Sequence, residues 1–382
     1  MIRYLFVLVS FLCGIPAFNQ QYLFHNYSIE EGLSQSVVNC VFQDSYGFLW
    51  IGTQNGLNRF NGYDFTVFLY NPDDTTTLSN NWVYSIAEDA EENLWIGTKG
   101  GLNKYVRNEN RISRISYVTG YKENLSRCAY DVLVSRSGNI FINTPPVLSV
   151  YNPVRGIFSH LQAALCYDGG ISDNRIPLME DRDGRIWMGS TCGLACFNPR
   201  SGGLTYFFHD PERTGSISDN NITALYQDNT GIIWIGTSDG LNQLNLNTGK
   251  IVRLLTSPAE QQLLGSNFIR AVTADPSGAV WIGTEGGGLV RMTRGNNGAY
   301  LIDRFTSSKD GLGHNIVLAL TMDRFQNLWA GTLQGLSKTD LKPAKFKLYR
   351  RDSSTSSVNL LGNVIASIYK DDDGLIWVGN WG

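Results

Sequence analysis

Val41-Phe42-Gln43-Asp44-Ser45-Tyr46-Gly47-Phe48-Leu49-Trp50-Ile51-Gly52-Thr53-Gln54-Asn55-Gly56-Leu57 is the stretch that decides the fold, because the chain writes it repeatedly. An apolar run leads to Asp-x-x-Gly, two residues follow, then Trp-Ile-Gly-Thr, and soon Gly-Leu. The aromatic slot is filled by Trp50, Trp95, Phe141, Trp187, Trp234, Trp281, Trp329 and Trp377, at steps of 45 to 48 residues. Four strand-like segments fit into each period: an apolar inner strand, the Trp strand, a strand opened by Gly-Leu, and a variable aromatic outer strand. Short antiparallel strands repeated at this interval are the pattern of propeller blades.

The turn chemistry agrees. Asp stands six residues before most of the Trp positions, as Asp44, Asp89, Asp181, Asp228, Asp275, Asp323 and Asp371. Gly stands three before in Gly47, Gly138, Gly184, Gly231, Gly278 and Gly374. Asp bonds turn backbone and Gly accepts positive φ, so a hairpin is expected at each site. A lone blade leaves both faces of its sheet bare, and the Trp series is expected to fill the gap between neighbours. Phe141 is expected to do the same in the most divergent copy, which also has Asn143 for Gly and Pro145-Pro146 before its third strand. The Gly two after each Trp marks a close sheet approach or a bulge. All eight aromatic residues are thus read as structure rather than as a ligand stripe.

Residues 22–27 match an outer strand that has no blade of its own. In a ring, that strand completes the last blade and removes the open edge. The reading is an all-β chain: residues 1–20 a signal peptide, 21–341 a seven-bladed propeller closed by strand 22–27, and 342–382 the start of a second propeller. An eight-bladed ring would need a third strand after Trp377, and the sequence stops at Gly382; it is read as part of a longer protein.

Bulk composition fits. Gly is high at 40 and Pro low at 11, while charged residues are only 17% of 382. A net charge of −3 without a basic run disfavours nucleic acid and anionic membrane surfaces as partners. Arg3 followed by an apolar run over 4–13 reads as a secretory leader. The five cysteines beyond it (Cys40, Cys128, Cys166, Cys192, Cys196) are read as buried thiols, because an odd scattered count does not suggest a disulfide framework. No histidine stands at zinc-type spacing from Cys192-x-x-x-Cys196, so neither metal nor cofactor is expected.

Fourteen residues before each aromatic slot, Asn81, Asn220, Asn267, Asn315 and Asn363 recur, and an Asx turn onto their own backbone is expected. Departures from the repeat beside this slot are the candidate ligand contacts: Trp82, Phe268, Arg127 and Arg175. An aromatic platform with nearby Arg suits a sugar, by stacking and by hydrogen bonds to hydroxyls or carboxylates. Catalysis has no sequence support. Most carboxylates are taken by turns, and the repeat's Asp-x-x-Gly differs from the Asp-x-Gly box of sialidases. No nucleophile elbow, His-Glu-x-x-His or phosphate loop occurs.

With these residues in place, the unit resembles the two-component regulator propeller repeat. The resemblance implies the periplasmic sensor region of a hybrid two-component system. Such a sensor is expected to bind a glycan-derived oligosaccharide, to pair as a homodimer in the full-length protein, and to reach the membrane and a histidine kinase through sequence beyond this chain. By it the chain is expected not to be an enzyme. A secreted propeller glycoside hydrolase or lyase is the competing reading.

Overall fold

A computed structural model describes residues 22–116, 128–144, 147–161, 176–295, 298–342, 364–371 and 375–381. Gln21–Leu341 form one compact unit, a seven-bladed β-propeller of four-stranded antiparallel blades. Blade 1 comprises Val38–Gln43, Leu49–Thr53, Gly56–Phe60 and Phe65–Phe68. The inner strands of blades 2 to 7 are Val83–Glu88, Asp131–Val134, Leu178–Glu180, Ile222–Gln227, Ile269–Ala274 and Val317–Met322. Blade 7 takes its outer strand from the N-terminus: His25–Tyr27 pairs with Gly335–Asp340, with Asn26 opposite Ser337. This strand is shorter than the expected 22–27, because Tyr22 and Phe24 turn into the core beside Trp281 and Phe305 instead of pairing.

Seven hydrophobic clusters lie one between each pair of blades. Trp50 of blade 1 packs with Val83, Leu94 and Ile96 of blade 2, and Trp329 of blade 7 packs with Val41, Leu49 and Phe60 of blade 1. The six repeat-slot indoles of the ring and Phe141 are at most 4% exposed. Several meet an aromatic of the next blade, as in Trp50–Tyr105 at 5.1 Å and Trp95–Tyr151 at 5.7 Å. Burying a large side chain this fully contributes roughly 1.5–3 kcal/mol or more.

The repeated Asp has a second task that the turn alone does not reveal. One carboxylate oxygen accepts the turn N–H four residues on, as in Asp44–Phe48 at 2.9 Å. The other accepts the indole N–H six residues on, at 2.8–2.9 Å in every Trp-bearing copy. A buried indole N–H needs such a partner. Blade 3 shows the rule by exception: Phe141 has no N–H, and Ser135 stands where the others keep Asp, its hydroxyl donating to Asn139 O at 2.9 Å. The copy lost donor and acceptor together.

Both readings of the Gly after the Trp hold, on opposite strands. A Cβ on Gly52 would lie 2.7 Å from Val83 of the next blade, and one on Gly283 would lie 2.8 Å from Val317. Facing these glycines, the inner strands of blades 1, 2, 5, 6 and 7 each skip a residue in register: between Val38 and Cys40, Val83 and Ser85, Ile222 and Ala224, Ile269 and Ala271, and Val317 and Ala319. Blade 3, with Asn143 in place of Gly, pairs without a skip. The buried Asn143 amide instead bonds across to Ile176 O of blade 4 at 3.2 Å.

Two expectations need correction. Cys192 is disulfide-bonded, its partner lying outside the described residues, so it is not a buried thiol. Cys40 and Cys196 are buried thiols, whereas Cys128 is only half-buried, and burial pushes the Cys196 thiol up to about 11. The recurrent Asn does not close its own Asx turn. The residue before it does: Asn80 accepts from Trp82 N at 2.9 Å, and Asp219 from Asn221 N at 2.7 Å. Asn81 and Asn220 reach back to the start of the same loop, accepting Tyr70 N and His209 N at 2.7 Å.

Residues 342–382 belong to a separate unit, in which Val364–Lys370 and Ile376–Trp381 form one hairpin.

Candidate functional site

The skipped residues build the site. An extra residue in one strand is left out of the ladder and its side chain is re-aimed. Here those residues are Asn39, Tyr84, Thr223, Arg270 and Leu318. All five line a cavity of about 120 Å³ at the mouth of the central channel, together with Val37, Gln54, Trp82, Glu285, Ile316 and Leu333. The last six come from the residues leading into the inner strands and from the short turns after Trp-Ile-Gly-Thr. Backbone bonds between blades fix this rim. Gly56 N donates to Asn81 O at 2.7 Å, Gly240 N to Asn267 O at 2.8 Å, and Gly335 N to Ser36 O at 2.7 Å.

The walls differ by blade. On blades 2 and 3, Trp82, Tyr84 and Tyr130 follow one another at centroid distances of 6.0 and 5.1 Å, and the Lys99 ammonium lies 5.3 Å from the Trp82 ring. On blade 6, Arg270 Nε donates to Glu285 Oε2 at 2.5 Å, with the guanidinium 4.4 Å above the Phe268 ring. Blade 7 contributes the aliphatic Ile316, Leu318 and Leu333. The Arg270 side chain is only 12% exposed and that of Glu285 33%, so the pair is partly withdrawn from water. Two polar groups are held by backbone: Asn39 Nδ2 donates to Val83 O at 2.9 Å, and Thr223 Oγ1 to Ile269 O at 2.5 Å. The surface therefore offers aromatic faces, one charge-balanced pair and an aliphatic wall.

Of the four residues singled out in the sequence, Trp82 lies in the cavity wall. Phe268 lies beneath Arg270 and is not a lining residue, so it positions the cation. Arg127 and Arg175 fall outside the described residues. The bulged positions were missed, although a signal was present. Eleven residues before the aromatic slot the sequence runs Asn39, Tyr84, Tyr130, Ile176, Thr223, Arg270, Leu318. The residue before it is aliphatic in most copies and the residue after it mostly small, so the intervening position alone varies freely.

Six segments match the two-component regulator propeller repeat: residues 32–55, 77–100, 170–191, 216–239, 263–286 and 359–382. A histidine kinase, P4, from Formosa agariphila is 42% identical over 74 residues, covering 19% of this chain and 5% of that protein. The fold is similar to the extracellular domain of the hybrid two-component system BT3049 from B. thetaiotaomicron, with TM-score 0.69 and 22% identity over 94% of this chain and 52% of the other. The chain thus spans about half the length of that domain. It is also similar in fold, at 12% identity and TM-score 0.61, to virginiamycin B lyase from Staphylococcus aureus, over 84% of this chain and all of the lyase. In six of its repeats, the chain is thus similar to the two-component regulator propeller family.

Proposed function

We propose that this chain is the extracytoplasmic ligand-sensing ring of a hybrid two-component system, and that it holds one end of a glycan-derived oligosaccharide at the channel mouth without turning it over. The observation that carries the reading is the convergence of five bulge-presented side chains on one cavity, with Trp82 and Tyr84 facing a polar pair. The propeller would build an identical ring from identical repeats; the bulges are where it spends its variation. Similarity to the repeat family and likeness to extracellular domains of two-component systems support the sensor role.

Size bears on the mode of binding. A pocket that swallows a drug-sized ligand has roughly 300–1,000 Å³. The mouth offers about 120 Å³, so an extended ligand seats one ring there and leaves the rest on the rim. Chemistry bears on turnover. Glycoside hydrolysis by the usual route needs two carboxyl groups flanking the bond. Among the described lining residues Glu285 is the one carboxylate, and Arg270 already occupies it. In the full-length protein, occupancy would be relayed by a change in dimer arrangement through sequence beyond this chain, on the periplasmic side of the inner membrane.

The test is incubation of the purified chain with defined glycan fragments, reading melting temperature and products together. A ligand at 100-fold its Kd stabilises the native state by about 2.7 kcal/mol. A raised melting temperature with unchanged glycan supports a sensor. New reducing ends or unsaturated products would favour the hydrolase or lyase reading instead.

A further inference from the structure

We propose that the mouth selects a neutral, hydroxyl-bearing ring over an acidic one, and that Glu285 sets this choice. The inference rests on the glycan-binding reading of the cavity and adds to it the charge class of the ligand.

Arg270 and Glu285 are departures from the repeat that occur together in one blade. At the position of Arg270 the other ring blades carry Asn39, Tyr84, Tyr130, Ile176, Thr223 and Leu318, none charged. At the position of Glu285 they carry Gln54, Lys99, Pro145, Thr191, Ser238 and Leu333, none acidic. An Arg placed alone at the mouth would attract a carboxylate or sulfate. Glu285 Oε2 stands 2.5 Å from its Nε and supplies that partner in advance. Phe268 holds the guanidinium from the other side, so the cation cannot easily swing to a new anion.

An acidic ring entering the cavity finds the Arg270 cation already neutralised by Glu285, so its own charge gives up water without gaining a partner. A neutral ring meets no such cost. Its C–H faces lie on Trp82 and Tyr84, and a hydroxyl donates to the part of Glu285 that stays open to solvent, its side chain being 33% exposed. Lys99 does not reverse the balance. It lies over the Trp82 ring, on the rim rather than among the lining residues.

The experiment screens the wild-type chain, Glu285→Gln and Trp82→Ala on an array of neutral and uronate-bearing oligosaccharides, with Kd measured by calorimetry for the best binder of each class. The wild type should favour the neutral class. Glu285→Gln keeps the shape and an oxygen for Arg270, and should shift the neutral-to-acidic affinity ratio by about tenfold or more toward the acidic class. Trp82→Ala should weaken both classes alike. Equal or better binding of uronates by the wild type overturns the proposal without any variant, and so does an unchanged ratio in Glu285→Gln. Binding of neither class by the wild type overturns the glycan reading itself, and the selectivity with it.

Discussion

The hairpin Val364–Trp381 and the inner hairpins of the ring are written in the same residues, yet their indoles end in opposite surroundings. In the ring Trp50 is fully buried; in the hairpin Trp377 is 61% exposed. Even so, Asp371 accepts the Trp377 indole N–H at 2.8 Å and the Leu375 N–H at 2.8 Å, as its counterparts do. The skip in register recurs between Ile365 and Ser367. The hairpin bonds are therefore the same in both units, and the burial of the indole is what differs.

That contrast gives a graded set of tests. Trp50→Ala should cost about 3–5 kcal/mol in urea unfolding of the ring. Trp377→Ala should leave the ring transition within about 0.5 kcal/mol, as surface changes do. Comparable losses would mean that the exposed indole has a partner in solution. Next comes the glycine that follows. Gly283→Ala presses on Val317 side chain and backbone and should cost about 1–3 kcal/mol. Gly379→Ala meets chiefly the Ser367 hydroxyl of its own hairpin, which can rotate away, and should cost less.

The carboxylate is the third lever. Burial alone would raise the Asp181 pKa, but hydrogen bonds from the Trp187 indole and from Arg185, with the Arg185 charge, outweigh it and hold the pKa low. A group whose pKa is lower when folded adds stability above its unfolded pKa of about 3.9, and loses it as pH falls through the folded value. Unfolding midpoints measured from pH 7 down to pH 2 should fall along this acid limb, and Asp181→Asn should flatten it while costing about 1–3 kcal/mol at neutral pH. A smaller effect of opposite sign is expected at Gln326, which sits at φ +63° where blade 1 has Gly47 at +94°. Gln326→Gly should stabilise by up to about 1 kcal/mol, because a side chain is costly there.

The ring was legible in the sequence because its signal is periodic and local. Trp spacing gave the blades, and residues around Phe24 gave the closing strand. What escaped was geometry at single positions. The Asp-to-indole bond needs a residue to serve two donors six apart, which turn chemistry alone does not suggest. The Asx turn was assigned one residue late, since Asn80 and Asn81 offer the same side chain and differ only in direction. Cys192 was misjudged because pairing depends on distance in space and an odd count hides it. The cavity was missed most fully. A bulge shifts one residue out of alternation, so Arg270 reads as an ordinary strand position, whereas Trp82 and Phe268 stand out as departures beside the loops.

The closing strand carries a consequence for biogenesis. Asn26 and Ser337, joined by a side-chain bond, are 311 residues apart. A ribosome adding about 5–20 residues per second needs on the order of 15–60 s to connect them. Throughout that interval His25–Tyr27, made first, has no partner, and the nascent solenoid keeps two raw edges open to protease and to its siblings. The fastener is delivered at the start and used at the end, so those edges stay open until blade 7 emerges.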